Sequence, residues 1–395
     1  MPFADELIGR SVARRLADVV AAVLERPAVH LTAATAQLDD LTLRARADLL
    51  RDALLLDVGG TYPTLADVVR QASADPRFTG WLIWPVTSAI ATRAADDGTI
   101  DAFDDAMRSL AELTSRLTSE FAIRTMLRID AARAVDTMSG WTGSADEHVR
   151  RLASEGSRPF LPWAVRVPAL LDQPDTTRRI LDVLYRDPSD YVRRSVANHL
   201  NDLSRIAPRL TLQIASSWLH ESDENTMAVI RHGLRTLVKK GDSEALALLG
   251  FSGDSLRVET PILSSFVVRP GDALIFEAVV HNDGVDEARV AVDYKIHYQK
   301  ANGLTVPKTF KLTVATIAPG EALQVRKSHS FRELSTRRHY PGEHAVSVSA
   351  NGVLSEAAAF DVVDLASSPA RHTIDGAVET PGVTILPTDC RRATE

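Results

Sequence analysis

The chain has 395 residues, of which 45% are hydrophobic and 25% charged, as is usual for a soluble globular protein. This length exceeds one ordinary hydrophobic core, so two domains are expected. The formal net charge of -7 argues against a general nucleic-acid binder, although net charge says little about any local surface.

The number of cysteines and the hydropathy of the chain indicate the cellular compartment of the protein. Cys390 is the only cysteine, which excludes an internal disulfide and fits a reducing environment. The N-terminus has no apolar signal core, and no run of about 18 apolar residues occurs in the chain. We therefore expect a cytoplasmic protein that neither spans nor binds a membrane.

The first 250 residues, roughly, have the apolar spacing of amphipathic helices. Breaks such as Gly59-Gly60 and residues 96–98 separate the helical stretches. Hydrophobic residues three and four positions apart predict helices over residues 7–24, 41–56, 64–72, 80–95, 100–117 and 119–127.

Residues 148–208 contain two further apolar-periodic stretches, each opened by a polar break and a proline. The second starts a helix at Asp187-Pro188. Three of its positions recur at an offset of 34, which pairs Asp187, Val196 and Leu200 with Glu221, Ile230 and Leu234. Such a repeat predicts a HEAT-like α-solenoid of stacked helix pairs, and an irregular helical domain is the alternative.

The period changes near Gly250, where alternation and turn pairs such as Asn302-Gly303 begin. Strands are predicted over residues 256–268, 273–281, 288–298, 305–317, 323–331, 344–350 and 353–362. About seven short strands in roughly 110 residues predict an immunoglobulin-like β-sandwich without the antibody disulfide. The fold class is thus multidomain, α then β. We expect a HEAT-like domain over residues 1–252, an Ig-like domain over 253–364 and a tail over 365–395.

Common catalytic signatures are absent from the sequence. It contains no GxGxxG after a strand, no GxxxxGK[ST], no HExxH, no GxSxG and no CxxC. The histidines are scattered without carboxylates at ligand spacing, so neither a metal nor another cofactor is expected.

Taken alone, the polar residues near residues 120 and 155 have ordinary explanations. Glu120 suits a first-turn glutamate with Arg124 as its partner four residues on. Glu155 suits either a solvated loop carboxylate between two helices or a residue that helps to cap a helix N-terminus. Trp163 after a proline is typical of a core position, and Arg193-Arg194 is typical of a solvated helix face.

Four longer strings change these expectations. They are GWLIWP at 80–85, SEFAIR at 119–124, HVRRLASEGSRPFLPWA at 148–164 and YVRRSVANHLNDLSR at 191–205. The sequence resembles the AlkC family of bacterial DNA alkylation repair proteins, relatives of the AlkD-type HEAT-like glycosylases. The likeness extends to about residue 250, and some members of that family also have a C-terminal Ig-like domain.

The resemblance implies a monofunctional DNA glycosylase of base excision repair. Its substrate would be duplex DNA with N3-alkylated bases, chiefly 3-methyladenine and also 3-methylcytosine. A carboxylate beside the sugar would stabilise an oxocarbenium-like transition state and orient the attacking water. A nucleoid-associated monomer is expected.

The family's motif positions can be carried over residue by residue. They imply catalytic roles for Glu155 and Glu120, with Trp163 packing on the deoxyribose or base. The residues implied to hold DNA phosphates are Arg124, Arg151, Arg158, Arg193, Arg194 and Asn198. Residues 148–240 have 15 basic and 10 acidic side chains, a local charge of +5 that suits this role.

Two other classes of function remain open on the sequence. One is a non-catalytic protein that recognises damaged DNA, and the other is a HEAT-type scaffold for protein partners. Basic residues of the predicted Ig-like domain suggest that it clamps the duplex, against the alternative of ordinary surface charge. These residues are Lys295, Lys300, Lys308, Lys311, Arg326, Lys327, Arg337 and Arg338.

Overall fold

The structure, a computed structural model, describes residues 4–269, 271–332, 339–363 and 384–386. The chain divides into two compact units, Met1–Leu234 and Arg235–Glu395. We refer to them as the helical unit and the β unit. Arg337 and Arg338, which we predicted to help clamp DNA, and most of the predicted tail lie outside the described residues.

Helices make up the helical unit. They are α1 (Ala4–Leu7), α2 (Arg10–Leu24), α3 (Val29–Thr35), α4 (Leu43–Val58), α5 (Tyr62–Ala72), α6 (Ile83–Asp97), α7 (Ile100–Leu113), α8 (Glu120–Ile129), α9 (Ala131–Gly140), α10 (Glu147–Gly156), α11 (Pro168–Asp172), α12 (Arg178–Leu184), α13 (Asp190–Leu203), α14 (Pro208–His220) and α15 (Thr226–Gly233). Short 3-10 turns lie at Gly80–Leu82, Thr114–Arg116, Trp141–Gly143 and Pro174–Thr177.

Side chains stop several of these helices from fraying at their N-termini. Thr42, Thr99 and Asp130 each accept a backbone N–H three residues on, at the starts of α4, α7 and α9. Asp146 accepts from the backbone N–H of His148 at the start of α10. Each helix that we predicted over residues 7–127 is present, with small shifts at its ends.

Alternate helices of the unit form a continuous row. α4, α6, α8, α10, α13 and α15 pack as successive neighbours, and α5, α7, α9, α12 and α14 pack against them as a second layer. Apolar faces with helical spacing, such as Val192, Val196 and Leu200 of α13, are buried between the layers. This arrangement confirms the predicted HEAT-like α-solenoid.

Two glycines allow close packing within the row. A Cβ at Gly156 of α10 would lie 3.1 Å from the Ile123 side chain of α8. A Cβ at Gly233 of α15 would lie 2.6 Å from Leu200 of α13. Larger residues at these positions would push the neighbouring helices apart.

The β unit begins with two short helices, α16 (Arg235–Lys240) and α17 (Ser243–Leu248). Its strands are β1 (Leu256–Val258), β2 (Ile262–Leu263), β3 (Val267–Val268), β4 (Ala273–Asn282), β5 (Ala288–Gln299), β6 (Thr305–Ile317), β7 (Ala322–Ser330), β8 (Gly342–Ala350), β9 (Val353–Leu354), β10 (Ala358–Val362) and β11 (Thr384–Leu386).

The strands form two sheets. One has the order β1-β4-β7-β11 with β2 beside β4, and the other has the order β3-β10-β8-β5-β6 with β9 beside β8. Alternate side chains of β4, β5 and β8 point inward, including Phe276, Ile296 and Val348, and form one apolar core. The predicted Ig-like β-sandwich is confirmed.

Two predicted strands are each broken. The stretch 256–268 is three short strands, and Pro261, between the first two, lacks the N–H that a continuous ladder needs. The stretch 353–362 is two strands, β9 and β10, separated where Ser355 bonds back to Val348 through both its backbone N–H and its side chain.

Contacts between residues divide the chain into its two compact units after Leu234. The domain limit that we expected at residue 252 remains a prediction. None of the helices in the described part of the chain has the length and hydrophobicity needed to cross a lipid bilayer.

Candidate active site

Five charged side chains of the helical unit alternate in sign along one line, which we call the ion-pair chain. Arg151 lies 2.6 Å from Glu120 Oε2 and 3.5 Å from Glu155 Oε1. Arg158 continues the line, with Nη1 2.7 Å from Glu155 Oε1 and Nε 2.9 Å from Asp202 Oδ2. Three carboxylates and two guanidinium groups leave the ion-pair chain with a formal charge of -1.

The ion-pair chain is assembled from three neighbouring helices and from the segment after α10, which supplies Arg158. Glu120 is the first residue of α8, and Asp202 lies in the last turn of α13. Arg151 and Glu155 are four residues apart on α10, which packs between those two helices. Gly156 lets α10 approach α8 closely enough for Arg151 to reach Glu120.

The pairs of the ion-pair chain are largely shielded from solvent. The side chains of Glu155, Glu120 and Arg151 are only 8%, 12% and 17% exposed. Burial alone would lower the pKa of Arg151 and of Arg158, but the neighbouring carboxylates outweigh it and raise both pKa values. Both guanidinium groups therefore stay charged and hold the carboxylates in fixed positions.

Two residues of α13 complete the surroundings. Ser195 Oγ donates a hydrogen bond of 2.6 Å to Glu155 Oε2, so both oxygens of that carboxylate are held. The ring of Tyr191, which is 40% exposed, lies 5.1 Å from the Arg151 guanidinium carbon in cation–π geometry. The largely covered ion-pair chain thus lies beside an exposed aromatic ring.

Trp163 lies in the segment that follows α10. This segment, residues 157–167, which we call the Trp163 loop, connects α10 to α11. The Trp163 side chain is 50% exposed, and its backbone has a φ of 60°. A left-handed φ is unusual for a bulky residue and shows that the surrounding contacts determine the loop conformation.

Two arginines from other helices hold the Trp163 loop by its backbone. Arg124 of α8 is completely buried and donates to the carbonyls of Val165 at 3.0 Å, Gly156 at 3.0 Å and Arg158 at 2.8 Å. Arg44 of α4 donates to the carbonyl of Trp163 itself. Burial lowers the pKa of Arg124 to about 10, so the group remains charged at neutral pH.

Of the remaining predicted phosphate contacts, Arg193 and Arg194 line a groove between α13 and α15. Arg194 is well exposed and pairs with Asp190 at 2.7 Å. Asn198 bonds to His232 at 3.0 Å, whereas Arg193 is mostly covered and donates to the carbonyls of Asp187 and Pro188. Part of this groove is a cavity of about 220 Å³ lined by Asp190, Arg193, Arg194, Ala197, Asn225, Ala228, Val229 and His232.

Several local environments differ from those expected on the residues alone. Glu155 lies in the last turn of α10 and is buried, not in a solvated loop. Glu120 pairs with Arg151, because Arg124 points inward to the Trp163 loop. Trp163 is not in the core, since half of its surface is exposed. Arg124 has no exposed surface from which to contact a phosphate.

Sequence reasoning overlooked three side chains that organise the site, namely Tyr191, Ser195 and Asp202. Their spacing of i, i+4 and i+11 on α13 places them on one helix face. This periodicity was visible in the sequence, but nothing there indicated that α10 packs on that face. Among the residues that the structure describes, no group of three or more His, Cys, Asp or Glu side chains could hold a metal ion.

Known sequences resemble this chain. Residues 257–364 match the family model "Uncharacterised protein YhaZ, C-terminal Ig-like domain". The chain is 38% identical over 261 residues to the uncharacterised protein YhaZ of Bacillus subtilis. The matched residues make up 66% of this chain and 72% of YhaZ.

A solved structure is similar over nearly the whole chain. It is the Pseudomonas fluorescens alkylpurine DNA glycosylase AlkC bound to DNA containing an abasic site analog. The two chains are 31% identical with a TM-score of 0.75, and the similarity covers 92% of this chain and 99% of that one.

Proposed function

The chain belongs to the AlkC family, and on that premise we propose that it is a DNA glycosylase that removes alkylated bases. The observation on which the proposal rests is the meeting of Glu120 and Glu155, from different helices, on one guanidinium group. The solved relative is an alkylpurine DNA glycosylase bound to DNA, which supports a DNA substrate for this chain.

Alkylation at N3 makes a purine base cationic and a good leaving group. When its bond to C1' breaks, the base departs with the bonding electrons and becomes neutral, so no general acid is needed. The sugar is left as an oxocarbenium-like cation, and a water molecule adds to C1' and loses a proton. The enzyme therefore needs an anion near C1' and a means of orienting water.

We assign these roles to the carboxylates of the ion-pair chain. Its excess negative charge lies in a partly buried site, where electrostatic stabilisation of the developing cation exceeds that in water. Because Arg151, Arg158 and Ser195 already fix Glu155, no reorganisation is required during bond breaking. The exposed ring of Trp163 would pack on the deoxyribose or on the cationic base.

We further propose that Arg194 and Asn198, in the groove along α13 and α15, contact phosphates. Arg151 and Arg158 would act chiefly through the carboxylates they hold, because both are largely covered. As the lesion we propose 3-methyladenine, with 3-methylcytosine as a further substrate. The enzyme would act as a monomer at the nucleoid without a cofactor, and the Ig-like domain would help clamp the duplex.

Release of methylated bases from methylated duplex DNA tests the proposal. We expect the wild-type chain to release 3-methyladenine under single-turnover conditions. Glu155→Gln removes the charge but keeps the size of the side chain, and we expect a rate loss on the order of 100-fold or more. Glu221→Gln is the matched control, because that side chain is 74% exposed, away from the ion-pair chain.

The other classes of function give different results in the same experiment. Tight binding of methylated DNA without release of base would indicate a non-catalytic damage-recognition protein. An absence of salt-sensitive DNA binding would indicate a protein-interaction scaffold. Unchanged excision by Glu155→Gln would refute the assigned role of that carboxylate while leaving the glycosylase activity intact.

A further inference from the structure

The Trp163 loop has an unusual source of rigidity. It contains no helix or strand, and several of its backbone groups have partners outside the loop. Carbonyls on both sides of Trp163 accept from Arg124, and the Trp163 carbonyl accepts from Arg44. Guanidinium groups with several donors in a fixed plane are well suited to hold carbonyls that point in different directions.

The partners of Arg124 distinguish it from the other buried arginines of the site. Arg151 and Arg158 pair with carboxylates, whereas the hydrogen bonds of Arg124 all go to main-chain carbonyls of residues 156–165. Burying a guanidinium charge without a directly bonded counterion is costly. Such a cost is expected where it fixes a conformation that the loop would not adopt alone.

The contacts also connect the Trp163 loop to the ion-pair chain. Gly156 and Arg158, two of the three residues whose carbonyls Arg124 holds, flank the end of α10 directly after Glu155. The third, Val165, lies beyond Trp163. One side chain therefore fixes the distance between the end of α10 and the segment that presents the tryptophan.

We propose that Arg124 and Arg44 are positioning residues that set Trp163 in place before substrate binds, which rests on the proposed role of Trp163 at the lesion. They act on the reaction only through the loop. Arg124 therefore does not serve as a phosphate contact. A misplacement of about 1 Å in such a side chain can cost on the order of 100-fold in rate.

Fluorine NMR of the full chain labelled with 5-fluorotryptophan tests the geometric part of this proposal. The sequence has five tryptophans, and Trp163→Phe identifies the resonance of interest. We expect Arg124→Lys and Arg44→Ala to shift or broaden that resonance and leave the other four unchanged. Arg116→Lys is the matched control, because Arg116 also donates to two main-chain carbonyls, those of Phe78 and Ser73, in a different part of the unit.

Single-turnover excision tests the functional part. Arg124→Lys and Arg44→Ala should lower the rate on the order of 10- to 100-fold, with DNA affinity unchanged within about twofold. In a Trp163→Ala background the same substitutions should have little further effect, because the residue through which they act is gone. Arg44 is only half-buried, so its variant decides the question if Arg124→Lys does not fold.

An unchanged Trp163 resonance in the folded variants overturns the proposal, as does a shifted resonance with an unchanged rate. A rate loss of the same size with and without Trp163 also overturns it, since the arginines would then act by another route. If the wild-type chain releases no base, the proposed function fails, and the NMR result still decides whether the arginines hold the loop.

Discussion

Arg151 shows how one residue can convert two separate glutamates into a single site. Two carboxylates in a partly buried place repel each other, and each would lose its hydration without compensation. The Arg151 guanidinium lies between Glu120 and Glu155 and offsets both effects. The two carboxylates are therefore held close together, as the proposed reaction requires.

Ser195 gives a test of how far this fixed geometry matters. Ser195→Ala removes the 2.6 Å hydrogen bond to Glu155 Oε2 and leaves the charge of the ion-pair chain unchanged. We expect a destabilisation of about 1.5–3 kcal/mol, because the bond involves a buried charged acceptor. Excision should slow on the order of tenfold, because Glu155 gains freedom. Urea denaturation measures the loss of stability, and single-turnover excision measures the loss of rate. Full activity of a destabilised Ser195→Ala variant would limit Ser195 to a structural role.

His199 predicts a specific dependence of stability on pH. Its Nδ1 lies 2.9 Å from the carbonyl of Ser154, which can only accept, so Nδ1 carries the proton and Nε2 accepts from the Thr177 hydroxyl at 3.0 Å. Burial lowers the pKa of His199 from 6.5 to about 3. Between these values only the unfolded chain takes up the proton, so acid favours unfolding.

The stabilising contribution of neutral His199 is complete above its unfolded pKa and is lost as the pH falls towards 3. Going from about pH 7.5 to about pH 5.5 should lower the free energy of unfolding by about 1.4 kcal/mol from this group alone. His199→Asn, which keeps a donor for Ser154, should reduce the pH dependence by that amount. Urea denaturation of both proteins at the two pH values measures it; equal slopes would contradict the prediction.

The helices and strands follow from the sequence because each has a local cause. Apolar periodicity predicted helices such as α4 and α7, and alternation predicted the strands. The ion-pair chain could not be predicted in this way, because Glu120 and Asp202 meet only through the packing of α8, α10 and α13. The family resemblance implied that Glu120 and Glu155 are site residues, whereas their hydrogen-bond and ion-pair partners are seen only in the structure.

Burial was also beyond local prediction. The sequence suggested a solvated carboxylate for Glu155 and an i, i+4 pair with Glu120 for Arg124. Both are buried because neighbouring helices and the Trp163 loop cover them. Their charges are compatible with burial only because each has several hydrogen-bond partners.

Glycines in the helical row allow a matched test of packing between elements. Gly233→Ala places a Cβ 2.6 Å from Leu200, so α13 and α15 must separate or Leu200 must leave its rotamer, at a cost of about 1–3 kcal/mol. Gly140→Ala is the control, because nothing lies within 4 Å of a Cβ there and the backbone is helical. The control should be stabilised by about 0.5–1 kcal/mol. Thermal unfolding measures both, and equal effects would contradict the packing argument.

At the scale of the whole molecule, charge is distributed unevenly. The chain has a net charge of -7, yet residues 148–240 have a local charge of +5. A DNA-binding face can therefore coexist with an acidic protein, because phosphate contacts depend on local potential. The affinity for duplex DNA sums over all contacted phosphates, so the contribution of each unit to DNA binding has to be measured separately.

The contribution of the Ig-like domain can be measured through the salt dependence of binding. Lys300 and Lys311, which are exposed on the β5–β6 hairpin, are candidates for phosphate contacts. If both contact DNA, Lys300→Gln/Lys311→Gln should reduce the slope of log affinity against log salt by about 2, because each neutralised phosphate contributes about 0.9. Arg257→Gln is the control, because Arg257 is already paired with Asp283 at 3.0 Å. Fluorescence anisotropy with duplex DNA over a range of salt concentrations measures the slopes. An unchanged slope in the double variant would mean that Lys300 and Lys311 do not contact phosphates of the duplex.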